Sequence, residues 1–226
     1  MKVLMCTAGV RWFPTCKYWI DQITFLDKLL VKYYNHEEAL QIIRKFFLEH
    51  NEYTHLLIYA EDVLATPDSV KLLIKDAEEY NYPVITAWFN YDFKRDWIAI
   101  STKDLSKERI VLAEQYNFLK PTDMLFYDSP FMEVTFTGMP LTIIRRDVVE
   151  KVTFKPYSYT HDKILGTYMR RGTMFDLQFC LECRSLGIPI VLDKRVFAVH
   201  FGDTRRFINL ANKKREVEFI KALEQY

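Results

Sequence analysis

The apolar positions of this chain change period in a regular order. Val3 to Thr7 reads as a first strand, ending in Thr7-Ala8-Gly9 with Arg11 close behind. Ala39, Leu40, Ile43, Phe46 and Phe47 then recur at helical spacing. Leu56 to Tyr59 is a continuous apolar run, the pattern of a strand covered on both faces. Val70, Leu73, Ile74 and Ala77 mark a second amphipathic helix, and Pro83 to Phe89 another buried strand. This β-α-β-α-β order predicts an α/β fold with a mostly parallel central sheet and helices on both sides.

Beyond residue 90 the pattern loosens. Trp97–Thr102 and Ile110–Leu112 read as short extended pieces, and Pro121–Pro130 as mixed loop. Glu133–Arg145 is a long extended stretch containing Gly138, followed by a helix from Arg146 to Val152. Lys155–Thr173 is rich in Tyr, Arg, Lys and Gly without a clean period and reads as a surface loop. Phe175–Leu186 is helical, with Gly187 placed to end it. Ile188–Leu192 and Val196–Phe201 read as strands, and Arg205–Leu223 as a charged C-terminal helix. With no repeat and no linker, 1–226 is expected to be one domain.

Composition narrows the function classes. The 226 residues are half apolar with a net charge of only +1, which excludes a disordered chain and gives no electrostatic case for nucleic acid. No apolar run has the length of a membrane helix, and the N-terminus lacks a signal-peptide pattern. The expected place is the cytoplasm, either free or peripheral to a membrane. Cys180 and Cys183 form a C-x-x-C, but they lie inside the apolar helical pattern of Leu177, Phe179, Leu181 and Leu186. They are read as small buried helix residues rather than a redox or zinc pair.

The strand at Leu56–Tyr59 runs into Ala60-Glu61-Asp62. Thr66 can cap the next helix, Pro67 suits its first position, and Asp68 favours its positive end. Ligands of open α/β sheets bind beyond the carboxyl ends of the strands. Acids there can hold a divalent cation, and the cation a phosphate. Taken alone, a solvated acidic loop explains the same residues.

Three further pieces stand beside it: Val134-Thr135-Phe136-Thr137-Gly138-Met139-Pro140-Leu141 with its apolar continuation to Arg145-Arg146; Phe175-Asp176-Leu177-Gln178-Phe179-Cys180-Leu181 with Gly187; and Val196-Phe197-Ala198-Val199-His200. In this order and spacing, over about residues 1–202, the chain resembles the GT-A glycosyltransferases, particularly small family-2-like members. In that family a strand ends in a D-x-D motif that holds a metal and the donor diphosphate. A later strand carries a glycine, a helix opens with Glu-Asp, and a final strand ends in His. The resemblance implies a nucleotide-binding half at about 1–100 and an acceptor-side half at about 101–202, and the charged pattern beyond it leaves a C-terminal helix at 203–226.

The same resemblance assigns candidates. Asp62 matches the final aspartate of the motif, the direct metal ligand, while the first aspartate falls on Ala60. Glu61 sits in the variable middle position, and whether it replaces the missing acid stays open. His200 is a further metal ligand or else an ordinary strand-end histidine. Asp176 matches the general base of inverting members, or else caps its helix; the preceding Glu is replaced by Phe175. Thr7, Ala8, Gly9 and Arg11 would meet the donor together with Glu61 and Asp62. Gly138 and Met139 would face the acceptor, unless the glycine marks a bulge. Tyr157, Tyr159, His161, Arg170 and Arg171 would sit on a donor-sugar lid or on an ordinary exposed loop.

The implied function is a Mn²⁺- or Mg²⁺-dependent, inverting transfer of a sugar from a nucleotide-diphosphate donor to an acceptor hydroxyl on a glycan, lipid or protein. The alternative is a catalytically silent binding or interaction protein of the same fold, prompted by Ala60 and Phe175. A nucleotidyltransferase shares the sheet and metal logic but needs a glycine-rich first loop, which Thr7-Ala8-Gly9-Val10-Arg11 does not supply.

Overall fold

The first half of the chain alternates as its apolar pattern predicts, with one extra unit. Its order is β1 (Val3–Gly9), α1 (Pro14–Gln22), β2 (Asp27–Lys32), α2 (His36–Glu49), β3 (His55–Tyr59), β4 (Val63–Leu64), α3 (Pro67–Tyr80) and β5 (Val84–Trp88). Short pieces follow: β6 (Asn90–Asp92), β7 (Trp97–Ile98), β8 (Ile100–Ser101), β9 (Phe131–Val134) and β10 (Phe136–Thr137). The remainder is β11 (Leu141–Arg145), α4 (Arg146–Lys151), β12 (Ser158–Ile164), β13 (Thr167–Thr173), α5 (Phe175–Ser185), β14 (Ile190–Phe197), β15 (Val199–His200) and β16 (Glu216–Ile220). This computed structural model describes residues 1–9, 14–107, 109–164, 167–200 and 214–223.

Eight strands form one sheet in the order β16-β2-β1-β3-β11-β5-β14-β9. The sheet is mixed, not mostly parallel. β1 is parallel to both β2 and β3, and β14 is parallel to β5. β11 runs antiparallel to both β3 and β5, β9 antiparallel to β14, and β16 antiparallel to β2. The period-based expectation failed because β11 is buried on both faces as a parallel strand would be, with Leu141 to Ile144 all buried. Burial sets its composition; direction leaves no mark there.

Helices cover both faces, as expected. Strand alternation sends Leu4, Cys6, Leu56, Ile58 and Ile144 toward α2, α4 and α5. Val3, Met5, Leu57, Tyr59 and Ile143 turn the other way, toward α1 and α3. Thr66 caps α3 by accepting from the Ser69 N–H at 3.1 Å, with Pro67 in the first turn. Gly187 ends α5 with φ of 66°.

Several expectations need correction. Lys155–Thr173 is not a loop: β12 and β13 pair antiparallel from Ser158↔Thr173 to Ile164↔Thr167. The C-terminal helix is replaced, at Glu216–Ile220, by the edge strand β16; residues 205–213 lie outside the described part. The Glu216-Val217-Glu218-Phe219 alternation fits this edge, where Lys32 of β2 pairs with both glutamates. Ile110–Leu112 forms no strand, and Pro121–Phe126 is a 3₁₀ turn. Glu133–Arg145 is divided among β9, β10 and β11. No helix among the described residues is long and apolar enough to cross a membrane.

The Thr66 cap gives a simple test. Thr66→Ala should lower unfolding stability in urea by about 1 kcal/mol with an unchanged m-value. An unchanged midpoint would show that the cap contributes nothing.

Candidate functional site

Topology marks one place on the sheet. β1 connects onward through α1 to β2 on one side, whereas β3 connects through α3 toward β5 on the other. Adjacent strands whose connections leave in opposite directions open a crevice at their carboxyl ends. A cavity of about 300 Å³ lies there, lined by Ala8 of β1 and by Ile58 to Asp62 at the end of β3.

Four other segments close it. His36 and Leu40 come from the first turns of α2. Gly138 and Met139 come from the turn between β10 and β11, and Phe154 from the stretch after α4. Met174, Phe175 and Asp176 come from the start of α5. Because β11 is antiparallel to β3, its start lies beside the end of β3, with Leu141 opposite Tyr59. The Ala60 N–H donates to the Pro140 carbonyl at 3.0 Å, tying the acidic turn to the Gly138–Met139 turn.

Asp62 and His200 meet through a second pairing. β4 and β15 form a short antiparallel bridge with His200 opposite Val63. This sets His200 Nε2 3.5 Å from Asp62 Oδ2, with both side chains partly exposed. His200 is not a lining residue of the cavity and reaches it through Asp62. The Phe89 ring lies 5.0 Å from the His200 ring and supports it from behind.

Gly138 has a packing reason. A Cβ there would fall 2.8 Å from Phe89 Cε1 and 2.9 Å from Ala99 Cβ. Its N–H donates to the Ala99 carbonyl at 2.9 Å. The missing side chain admits Phe89, and Phe89 in turn backs His200.

Asp176 occupies the first turn of α5, where the Leu177 N–H donates to its carboxylate at 2.8 Å. Burial against the apolar wall pushes the carboxyl up to about 6, only partly opposed by the backbone N–H bonds. Glu61 is 4% exposed, and His36 Nε2 lies 4.0 Å from it.

The wall also carries backbone strain. Met139, Phe154 and Met174, all lining residues, have φ of 51°, 50° and 59°. Side chains other than Gly, Asn or Asp rarely adopt this left-handed region. Met139 is fixed there by its N–H donating to Thr137 Oγ1 at 3.1 Å. Thr137, Thr86 and Thr142 form a buried hydroxyl cluster at 3.0 and 2.8 Å beneath it.

Of the residues singled out in sequence, Ala8, Glu61, Asp62, Gly138, Met139 and Asp176 line one cavity. Thr7 and Gly9 do not: Thr7 is fully buried on the side of Val3 and Met5, and the Gly9 carbonyl accepts from the Tyr33 N–H at 2.7 Å. Arg11 lies outside the described residues. The side chains of His161, Arg170 and Arg171 also lie outside the described part. Tyr159 turns to Glu37 of α2, and the Tyr157 hydroxyl accepts from the Ile110 N–H at 3.3 Å. Cys180 and Cys183 are buried free thiols, as expected, with Cys183 pushed up to about 12 by burial. His36, Leu40, Phe154 and Met174 were missed. Asn35, the N-cap that accepts from the Glu38 N–H at 2.8 Å, was the available signal for His36.

A divalent cation at this place would have one carboxylate, Asp62, and one imidazole, His200, within reach. Asp62 and His200 supply two donors side by side, and such ions take few protein ligands when phosphate oxygens complete the shell. Among the described residues no group of three His, Cys, Asp or Glu side chains stands ready to hold a metal.

No family model matches the chain, and no curated protein does. Among solved structures it is similar to the crystal structure of A197 from STIV, with a TM-score of 0.52. The likeness has 17% identity and covers 90% of this chain and 87% of that one. At that identity it is a likeness of fold.

The raised Asp176 carboxyl gives a signed prediction. The folded chain holds this proton more tightly than the unfolded one, so stability falls as pH rises from the ordinary carboxyl range through about 6. Asp176→Asn keeps the Leu177 bond and removes the cost of ionisation. It should melt higher than wild type at pH 7.5, with the gap closing toward pH 4. An equal or lower melting temperature at pH 7.5 would contradict the burial of this charge.

Proposed function

We propose that the chain is a glycosyltransferase of the GT-A type, moving a sugar from a nucleotide-diphosphate donor to an acceptor hydroxyl with inversion. The observation that carries this reading is that Asp62 and Asp176 line one cavity at the crevice between β1 and β3, with His200 beside Asp62. Three segments scattered along the chain supply these residues: the turn after β3, the start of α5 and β15.

Each residue has a separate task. Asp62 and His200 would hold Mn²⁺ or Mg²⁺, which supplies charge neutralisation for the departing diphosphate. The small residues at Ala8 and Ala60 leave room for the donor beside the acidic turn. Asp176 takes the proton from the acceptor oxygen. That oxygen bonds to the anomeric carbon as the sugar–phosphate bond breaks, and the bonding pair leaves with the diphosphate. The raised affinity of Asp176 for a proton favours this transfer near neutral pH. Ala60 and Phe175, in place of two acids of the family pattern, favour a second reading: a protein that binds the donor without turnover.

Two variants separate these readings. Asp62→Ala should abolish Mn²⁺-dependent binding of nucleoside diphosphates in calorimetry, with His200→Ala weakening it less. Asp176→Asn should leave that binding intact and cut transfer by about 10²–10⁴. Unchanged metal-dependent affinity in Asp62→Ala would overturn the cation site. Donor binding without turnover on any acceptor would favour the silent protein.

A further inference from the structure

The side chains around the cavity divide sharply by chemistry. Glu61, Asp62, Asp176 and His36 carry charge or can carry it. Most of the remaining wall is apolar: Leu40, Met139, Phe154, Met174 and Phe175. Among the described lining residues there is no Ser, Thr, Asn, Gln, Lys or Arg. The Tyr59 hydroxyl is engaged elsewhere, accepting from the Ala65 N–H at 2.8 Å.

Such a wall is poorly suited to a second polyhydroxylated ring. Each buried hydroxyl of a sugar acceptor needs a partner, and one left without a partner costs affinity. The acids near Ala60 and Asp62 are claimed by the donor and its cation. An apolar body, in contrast, loses nothing by leaving water for Phe154, Met174 and Phe175. The part of the cavity left to it is the apolar side, at Leu40, Met139, Phe154, Met174 and Phe175.

The backbone strain points the same way. At Met139, Phe154 and Met174 the left-handed conformation would be cheaper with Asn or Gly. Each position instead carries a large apolar side chain on the cavity wall. Phe175 is also held deliberately: a Cβ at Gly172 would meet Pro156 at 2.6 Å and Phe175 Cζ at 3.3 Å, so the glycine lets Phe175 stand where it does. Phe175 also meets His36 edge-on, with ring centroids 6.0 Å apart.

We propose that the acceptor is an apolar alcohol, an aryl or alkyl body bearing one hydroxyl, whose body rests on Met139, Phe154, Met174 and Phe175 while its hydroxyl faces Asp176. This assignment rests on the glycosyltransferase reading. In the transfer, the alcohol O–H gives its proton to Asp176, its oxygen bonds to the anomeric carbon, and the diphosphate departs with the electron pair. The product is a sugar linked to an apolar aglycone.

The test uses benzyl alcohol as the apolar probe and methyl β-D-glucoside as the polar one, followed by saturation-transfer NMR on the full chain. UDP and GDP, each with Mn²⁺, are titrated in parallel. Benzyl alcohol should bind and the glucoside should not. Met174→Asn keeps a residue that accepts the left-handed backbone and should weaken benzyl alcohol about tenfold, the loss expected for one or two buried methylenes. Phe175→Gln should weaken it as well. Preference for the glucoside, no binding of either alcohol, or benzyl alcohol binding indifferent to both variants would overturn the assignment. If a nucleoside diphosphate still binds, the transferase reading survives that failure. Benzyl alcohol binding without either nucleotide would sink the transferase reading and leave an apolar ligand site.

Discussion

The site depends on one strand running against its neighbours. β11 lies between β3 and β5 and is antiparallel to both. Only in that direction does its amino end, with Gly138 and Met139, reach the carboxyl end of β3, where Glu61 and Asp62 stand. A parallel strand in the same slot would bring Arg145 and Arg146 there instead. Those arginines are occupied at the far end, Arg145 with Asp147 and Arg146 with the carbonyls of Phe47, His50 and Tyr53. Reversal of β11 therefore delivers small and apolar residues to the crevice and keeps cations away from it.

Around that strand the structure accepts local costs. Asp176 is held in surroundings that resist its ionisation, and three wall residues adopt a backbone conformation that disfavours them. Such costs persist where the neighbours over-determine the geometry. Here the Thr86–Thr137–Thr142 hydroxyls do so beneath Met139, and Cys180 contributes by accepting from the Thr137 N–H at 3.4 Å. The β4–β15 bridge does the same for Asp62 and His200.

Much of this was legible in the residues. The Leu56–Tyr59 run, the Thr66 cap and the α3 pattern follow directly from buried-strand composition and helix-start chemistry. The resemblance implied one site for Asp62, Gly138, Asp176 and His200; Asp62, Gly138 and Asp176 line one cavity, and His200 stands beside Asp62. The rest was hidden for definite reasons. β2 begins and ends in charge, and its charged groups find partners outside the strand: Asp27 in Tyr53 and Lys221, Lys28 in the Ile20 carbonyl, Lys32 in β16. Losing β2 also hid α1 and the cap that introduces His36. The Ser158–Thr173 hairpin mixes polar and aromatic residues on both strands, so no period survived. The direction of β11 is invisible because both orientations bury the same side chains.

The central claim is that the turns after β3, before β11 and at the start of α5 form one ligand site. Hydrogen–deuterium exchange with and without UDP or GDP plus Mn²⁺ tests it most directly. Slower exchange should appear together at about residues 58–62, 137–139 and 174–177, and stay unchanged along β16 and β9 at the sheet edges. Protection absent from these three segments, or confined to other parts of the chain, would contradict the account.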